Sequence, residues 1–167
     1  FGFTYLIYEN FIKELIKYKK RIDLPQGIII HGGGWKKLSK LNISNQEFKL
    51  KLKKYCNVDN VHNYYGMVEQ TGSIFFECKN SNFHTSLFND ILIRNKYDFS
   101  LSKVGESGIV QVFSLIPESY PGHSILTEDK GLILGENNCG CGNKGKYFKI
   151  IGRIQHSEIR GCSDAYE

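Results

Sequence analysis

The feature that most constrains this chain is a change of apolar periodicity near Ser73. Before it, helix-spaced stretches alternate with short apolar strands. Residues Asn10 to Arg21 read as a helix through Phe11, Ile12, Leu15 and Ile16, ended by the Asp23-Leu24-Pro25 break, and a buried strand follows over Gly27 to His31. Ser44-Asn45-Gln46-Glu47 has the capping-box pattern, and Phe48, Leu52 and Tyr55 carry one helical face on to Cys56 before a strand at Val61 to Tyr65. Helix, strand, helix, strand is the order of an α/β layer with parallel strands.

After Ser73 the runs are short and broken by turn residues: Ser73 to Glu77, Asp90 to Arg94, Gly108 to Leu115, Gly131 to Leu134 and Tyr147 to Ile151, with a turn at Gly105-Glu106-Ser107-Gly108. The expected fold is therefore α/β, a parallel-sheet layer followed by a β-rich, mainly antiparallel layer. The expected divisions are 1–72 for the α/β portion, 73–151 for a β-rich subdomain and 152–167 for a C-terminal remainder.

Composition removes several classes of function. With 41% hydrophobic and 23% charged residues the chain is expected to fold rather than remain disordered. Its longest apolar runs, Gly27 to Ile30 and Ile109 to Ile116, fall far short of the roughly 20 residues that span a bilayer. The net charge of +5 comes largely from lysines spaced as solvated helix faces, with no aromatic-interleaved basic stripe, so no nucleic-acid partner is expected. Five cysteines, an odd number without a secretory signal, argue against a disulfide framework and for a reducing cytoplasm. The chain opens at Phe1 directly on an apolar run and is read as part of a longer protein.

Three stretches carry chemistry. Gly32-Gly33-Gly34 follows an apolar strand, so the chain turns without side chains at the C-terminal edge of a parallel sheet, where α/β ligands bind. Taken alone, a plain structural turn explains it equally well. Tyr64 to Gly72 places an aromatic ring, a glycine and the Glu69 carboxylate at the same edge. A ring can stack on a base and a carboxylate can hold Mg²⁺ against a triphosphate, although a tyrosine pair with a solvated glutamate reads as well. Further on come Tyr120-Pro121-Gly122-His123, Leu126-Thr127-Glu128-Asp129, Gly152-Arg153 and Arg160-Gly161-Cys162-Ser163-Asp164.

In this order the stretches resemble the adenylate-forming superfamily of acyl-CoA synthetases and firefly luciferase. Within it the chain is similar to the acyl-protein synthetases of bacterial luminescence, the long-chain-fatty-acid–luciferin-component ligases. The resemblance spans nearly the whole chain and implies activation of a fatty acid with ATP and Mg²⁺, followed by acyl transfer to a protein cysteine. It implies an acyl-CoA reductase-like or acyl-carrier protein partner. By the same resemblance Gly32, Gly33 and Gly34 border the adenine, Tyr65 lies against it with Gly66 beside it, Glu69 binds magnesium, Asp129 binds the ribose hydroxyls, and Arg153 stands near the ribose and the hinge. Cys162 corresponds to the acylated cysteine. Val68 stands where the superfamily usually has a phosphate-binding Thr, which leaves Gln70 and Thr71 as stand-ins. The loop that grips the β and γ phosphates is expected upstream of Phe1, and the isolated 167 residues are expected to be inactive.

Cys78, His84, Cys139 and Cys141 supply three soft sulfurs and one imidazole, the ligand set of a structural zinc site, although their spacing is not that of a standard finger. The related phenylacetate–CoA ligases resemble the chain here, with Glu-Cys…His and Cys-x-Cys-Gly elements. Two other readings stand beside the acyl-protein synthetase: a CoA ligase of the phenylacetate type, and a non-catalytic, zinc-stabilised binding module.

Overall fold

A computed structural model describes residues 1–33 and 43–154, and the chain divides into two compact units, Phe1–Tyr64 and a second beginning at Tyr65. The first unit opens with strand β1 (Gly2–Phe3) and a helical stretch made of α1 (Thr4–Ile7), a π-helical turn (Tyr8–Ile12) and α2 (Lys13–Lys17). Strand β2 (Ile28–Gly32), helix α3 (Asn45–Cys56) and strand β3 (Asn60–Tyr65) follow. β2 pairs in parallel with both β1 and β3, in a register that sets Gly2 opposite His31 and Gly32 opposite Tyr64. The parallel α/β layer expected from the sequence is present.

Local chemistry explains the helix ends. Ser44 Oγ accepts the Glu47 N–H at 3.1 Å while the Glu47 carboxylate accepts the Ser44 N–H at 2.9 Å, the reciprocal capping box read from the sequence. Asn57 closes α3 in the left-handed conformation that Asn tolerates better than most residues. The first helical stretch differs from expectation: it begins at Thr4 and stops at Lys17 instead of reaching Arg21. Lys19 adopts a φ of 52°, and the Lys20 N–H returns to the Leu15 carbonyl at 2.9 Å, which turns the chain out of the helix before Arg21. The core of this unit joins Ile12 and Leu15 to Phe48, Leu52, Cys56 and Val58.

His31 is also buried in this core, its ring 4.8 Å from that of Phe48 and its Nδ1 2.9 Å from Thr4 Oγ1. Burial, aided by the charges of Lys49 and His62, lowers its pKa from 6.5 to about 4. In this window the unfolded chain takes up a proton that the folded chain refuses. The stability His31 contributes is thus complete above pH 6.5 and is lost as pH falls from 6.5 to about 4, on the order of 1.4 kcal/mol per pH unit. Urea unfolding of the chain at pH 7, 6 and 5 should show this proton uptake, and His31→Phe should remove it. An equal slope in both proteins would contradict the assignment.

The second unit contains β4 (Phe75–Phe76), β5 (Phe83–His84), β6 (Asn89–Arg94), β7 (Gly108–Ser114), β8 (Ser124–Glu136) and β9 (Lys146–Arg153). Five of these form an antiparallel sheet in the order β5-β9-β8-β7-β6. Alternation along β6 and β7 sends Ile91, Ile93, Val110 and Val112 to one face, where they pack with Phe75 and Phe148. β8 is much longer than the Gly131 to Leu134 run suggests. Register shifts at Lys130/Gly131 and Ile133/Gly135 reset its alternation, so only the central piece reads as a strand in the sequence. Ser73 to Glu77 contracts to β4 plus a single bridge from Glu77 to Phe83. No helix among the described residues is long and apolar enough to cross a membrane.

Candidate functional site

In the first unit β2 runs out at Gly32, and Gly33 turns the chain with a φ of 74°. A Cβ on Gly32 would run into the ring of Tyr64, its partner across the ladder, so any larger residue would have to displace that ring. Thr4 Oγ1 lies 3.0 Å from the carbonyl oxygens of both Gly32 and Gly33, which fixes the peptide planes of the turn. Gly34, like Cys162, lies outside the described residues.

In the second unit the structure brings Tyr65, Asp129 and Arg153 together. The Tyr65 ring packs against Phe75, Phe83 and Phe148 with centroids 6.0, 6.2 and 6.2 Å away, and its hydroxyl donates to Asp129 Oδ2 at 2.7 Å. Burial, followed by the Asp129 charge and hydrogen bond, pushes the Tyr65 pKa far above the ordinary tyrosine range, so the group is a fixed donor. Pairing of β8 with β9 sets Asp129 opposite Arg153, whose Nε lies 3.6 Å from Asp129 Oδ1. The same guanidinium donates from Nη2 to Glu128 Oε2 at 2.8 Å. Asp129 Oδ1 thus faces a cation, and the Asp129 side chain keeps 21% of its surface open to a ligand.

Gly66 follows β3 directly, and Glu69 stands on the next loop, exposed and without a hydrogen bond among the described residues. That leaves both carboxylate oxygens available to a hard cation such as Mg²⁺. The two stand-ins for the missing threonine are engaged in different ways. Gln70 is 1% exposed and donates Nε2 to the carbonyls of Gly122 and Val112 at 2.6 and 3.3 Å, while Thr71 Oγ1 accepts from the Tyr120 hydroxyl at 3.3 Å. Gln70 is a brace and reaches no solvent.

Cys78, His84, Cys139 and Cys141 converge so that their ligand atoms all lie within 4.8 Å of one another. Cys78 Sγ is 3.8 Å from Cys139 Sγ, and Cys141 Sγ is 3.3 Å from His84 Nε2. With Zn–S near 2.3 Å and Zn–N near 2.0–2.1 Å, ligand atoms of a zinc tetrahedron sit roughly 3.5–3.8 Å apart, so the donor set and its spacing fit zinc. Asn82 Nδ2 lies 3.4 Å from Cys139 Sγ, and the Asn143 N–H donates to Cys141 Sγ at 3.3 Å. Burial pushes the Cys139 thiol up, but hydrogen bonds from Asn82, His84, Cys141 and Cys78 outweigh it and hold the pKa at about 6. The neighbouring Cys78 is raised, chiefly by burial. Thiolate is the form that zinc takes.

Sequence reasoning missed the Glu128–Arg153 ion pair and the partners of Gln70 and Tyr120. No spacing rule signals these links, because they join residues 25 to 52 positions apart in the chain.

The family described as "Acyl-protein synthetase, LuxE" matches residues 1–167. No curated protein sequence matches the chain. Among solved structures it is similar to a 2-hydroxyisobutyryl-CoA ligase in an open conformation with 2-HIB-AMP and CoA, at 18% identity and TM-score 0.64, over 90% of this chain and 35% of that one. It is also similar to apo MatB from Rhodopseudomonas palustris, at 12% identity and TM-score 0.58, over 92% of this chain and 30% of the other. A long-chain-fatty-acid-CoA ligase from Archaeoglobus fulgidus matches at 13% identity and TM-score 0.57, over 92% and 34%. The chain spans about a third of the length of these proteins. At these identities the likeness is one of fold.

Proposed function

This chain belongs to the acyl-protein synthetase, LuxE, family, and from that membership we propose that it forms part of an enzyme that activates a long-chain fatty acid with ATP and passes the acyl group to a protein cysteine. The observation that carries the reading is the set Tyr65, Asp129 and Arg153: a carboxylate held by a half-buried phenol and flanked by a guanidinium, with the exposed Glu69 four residues after Tyr65 in the chain. Each residue has a task for which its surroundings suit it. Asp129 accepts the ribose hydroxyls, with Tyr65 holding its other oxygen in place. Arg153 orients that carboxylate, and Glu69 holds Mg²⁺, which when bound neutralises phosphate charge. Gly32 and Gly33 let backbone border the adenine.

The chemistry has two steps. A fatty-acid carboxylate oxygen bonds to the α-phosphorus as the α–β phosphoanhydride breaks, and pyrophosphate leaves. A thiolate then bonds to the acyl carbon as the carbon–oxygen bond to AMP breaks, leaving a thioester. Cys162 is our candidate for that thiol. Cys56 is fully buried and its thiol pKa is raised by burial, which suits a core residue better than a nucleophile. The zinc reading assigns Cys78, His84, Cys139 and Cys141 to a structural ion that would join β5 to the β8–β9 turn.

The test uses the full-length enzyme with ATP and labelled tetradecanoic acid. Wild type should exchange pyrophosphate and retain label through a hydroxylamine-sensitive bond. Cys162→Ser should exchange pyrophosphate at the wild-type rate and lose the label. Label retained by the Ser variant would assign the thioester elsewhere, and transfer to free CoA without protein labelling would favour a CoA ligase.

A further inference from the structure

The loop that carries Glu69 is held from behind by the connection between β7 and β8. The Thr71 N–H donates to the Tyr120 hydroxyl at 2.8 Å, and that hydroxyl donates onward to Thr71 Oγ1 at 3.3 Å. One residue nearer Glu69, the buried Gln70 amide donates to the Gly122 carbonyl at 2.6 Å. Ser114 Oγ donates to the Thr71 carbonyl at 3.0 Å. Tyr120 and Gly122 act as one piece. The Gly122 N–H donates to the Tyr120 carbonyl at 2.7 Å, and a Cβ on Gly122 would run into the Tyr120 ring. The ring lies across bare backbone, and this places its hydroxyl on Thr71.

An exposed carboxylate on a loop coordinates a cation well only when the backbone beneath it has few alternatives. Glu69 has no hydrogen bond of its own among the described residues, so its position depends on the loop. Of the next two residues, Gln70 is held through its side chain by Gly122 and Thr71 through its backbone by Tyr120. From this geometry we propose that Tyr120 is a positioning residue for Glu69, holding the loop so that the carboxylate meets the metal-bound nucleotide. The proposal rests on the reading of Glu69 as a magnesium ligand and gives a role to the Tyr120-Pro121-Gly122-His123 stretch, which that reading leaves unused.

The experiment is a Mg²⁺ titration of ATP–pyrophosphate exchange in the full-length enzyme, with Tyr120→Phe, Gly122→Ala and Glu69→Gln beside wild type. Tyr120→Phe keeps the ring and removes only the hydroxyl. It should raise the Mg²⁺ concentration for half-maximal exchange about five-fold, the scale of one net hydrogen bond, with the fatty-acid KM and the melting temperature unchanged. Gly122→Ala, which displaces the ring instead, should shift the same midpoint in the same direction. Glu69→Gln should shift it further. If Glu69→Gln shifts the midpoint and Tyr120→Phe does not, the positioning role is wrong and the magnesium role of Glu69 stands. If Glu69→Gln leaves the midpoint unchanged, both fall. A Tyr120→Phe enzyme that melts earlier and loses rate equally at every Mg²⁺ concentration would make the tyrosine a purely structural residue and overturn the proposal.

Discussion

Replacing Cys139 by Ser should strip zinc from the β-rich unit and destabilise that unit by several kcal/mol. The ligands come from separate segments: Cys78 precedes β5, His84 lies on it, and Cys139 and Cys141 lie in the connection from β8 to β9. An ion bound to all four closes the chain between residues 78 and 139 much as a disulfide would, and cross-links of that kind are worth roughly 2–5 kcal/mol. Zinc binding itself is stronger than that, with apparent values of about 10–16 kcal/mol in small peptides that fold only on binding the metal. The β-rich unit needs the ion less than those peptides do, because Phe75, Ile91, Ile93, Val110, Val112 and Phe148 form a core of their own. The expected loss is therefore partial. Cys139 is the position to test, since its sulfur lies 3.8 Å from Cys78 Sγ and 3.4 Å from Asn82 Nδ2. Metal analysis of the chain purified from zinc-supplemented medium should give about one zinc per wild-type chain and almost none per Cys139→Ser chain. A wild-type chain free of zinc under those conditions would end the assignment.

Asp129→Ala should weaken ATP binding by about 1.5–3 kcal/mol, or roughly 10- to 150-fold, through loss of a charged acceptor for the ribose hydroxyls. It should also cost stability for an independent reason. The Tyr65 ring packs against three phenylalanine rings and its part-buried hydroxyl has the Asp129 carboxylate as its acceptor at 2.7 Å, so removing that carboxylate takes the charged acceptor from a part-buried donor. That penalty is about 1–3 kcal/mol. A double-mutant cycle with Tyr65→Phe separates the two effects. In the Tyr65→Phe background the stability cost of Asp129→Ala should nearly vanish, because no orphaned donor remains, while the loss of ATP affinity should persist. Calorimetric unfolding together with nucleotide titration of the full-length enzyme reads both quantities at all four corners of the cycle. Unchanged ATP affinity in both single variants would remove Asp129 from the site.

Reading the chain by itself already reached the elements whose signals are local. Ser44 and Glu47 cap α3 because the two groups that satisfy each other are three residues apart, and the parallel pairing of β2 with β3 follows from the helix between them. The ligand types at Cys78, His84, Cys139 and Cys141 were visible too, because few other roles use three sulfurs and an imidazole. Where signals are not local, only the tertiary structure decided. Lys19 ends the first helix early through a backbone conformation that its side chain does not announce, and the bulges in β8 hide most of that strand by breaking its alternation. The convergence of Cys78, His84, Cys139 and Cys141, the bond from Tyr65 to Asp129, 64 positions away, and the hold of Tyr120 on Thr71, 49 positions away, depend on which strands become neighbours and in what register. A register moves every side chain of a strand together, so these partnerships exist only once the sheet has formed.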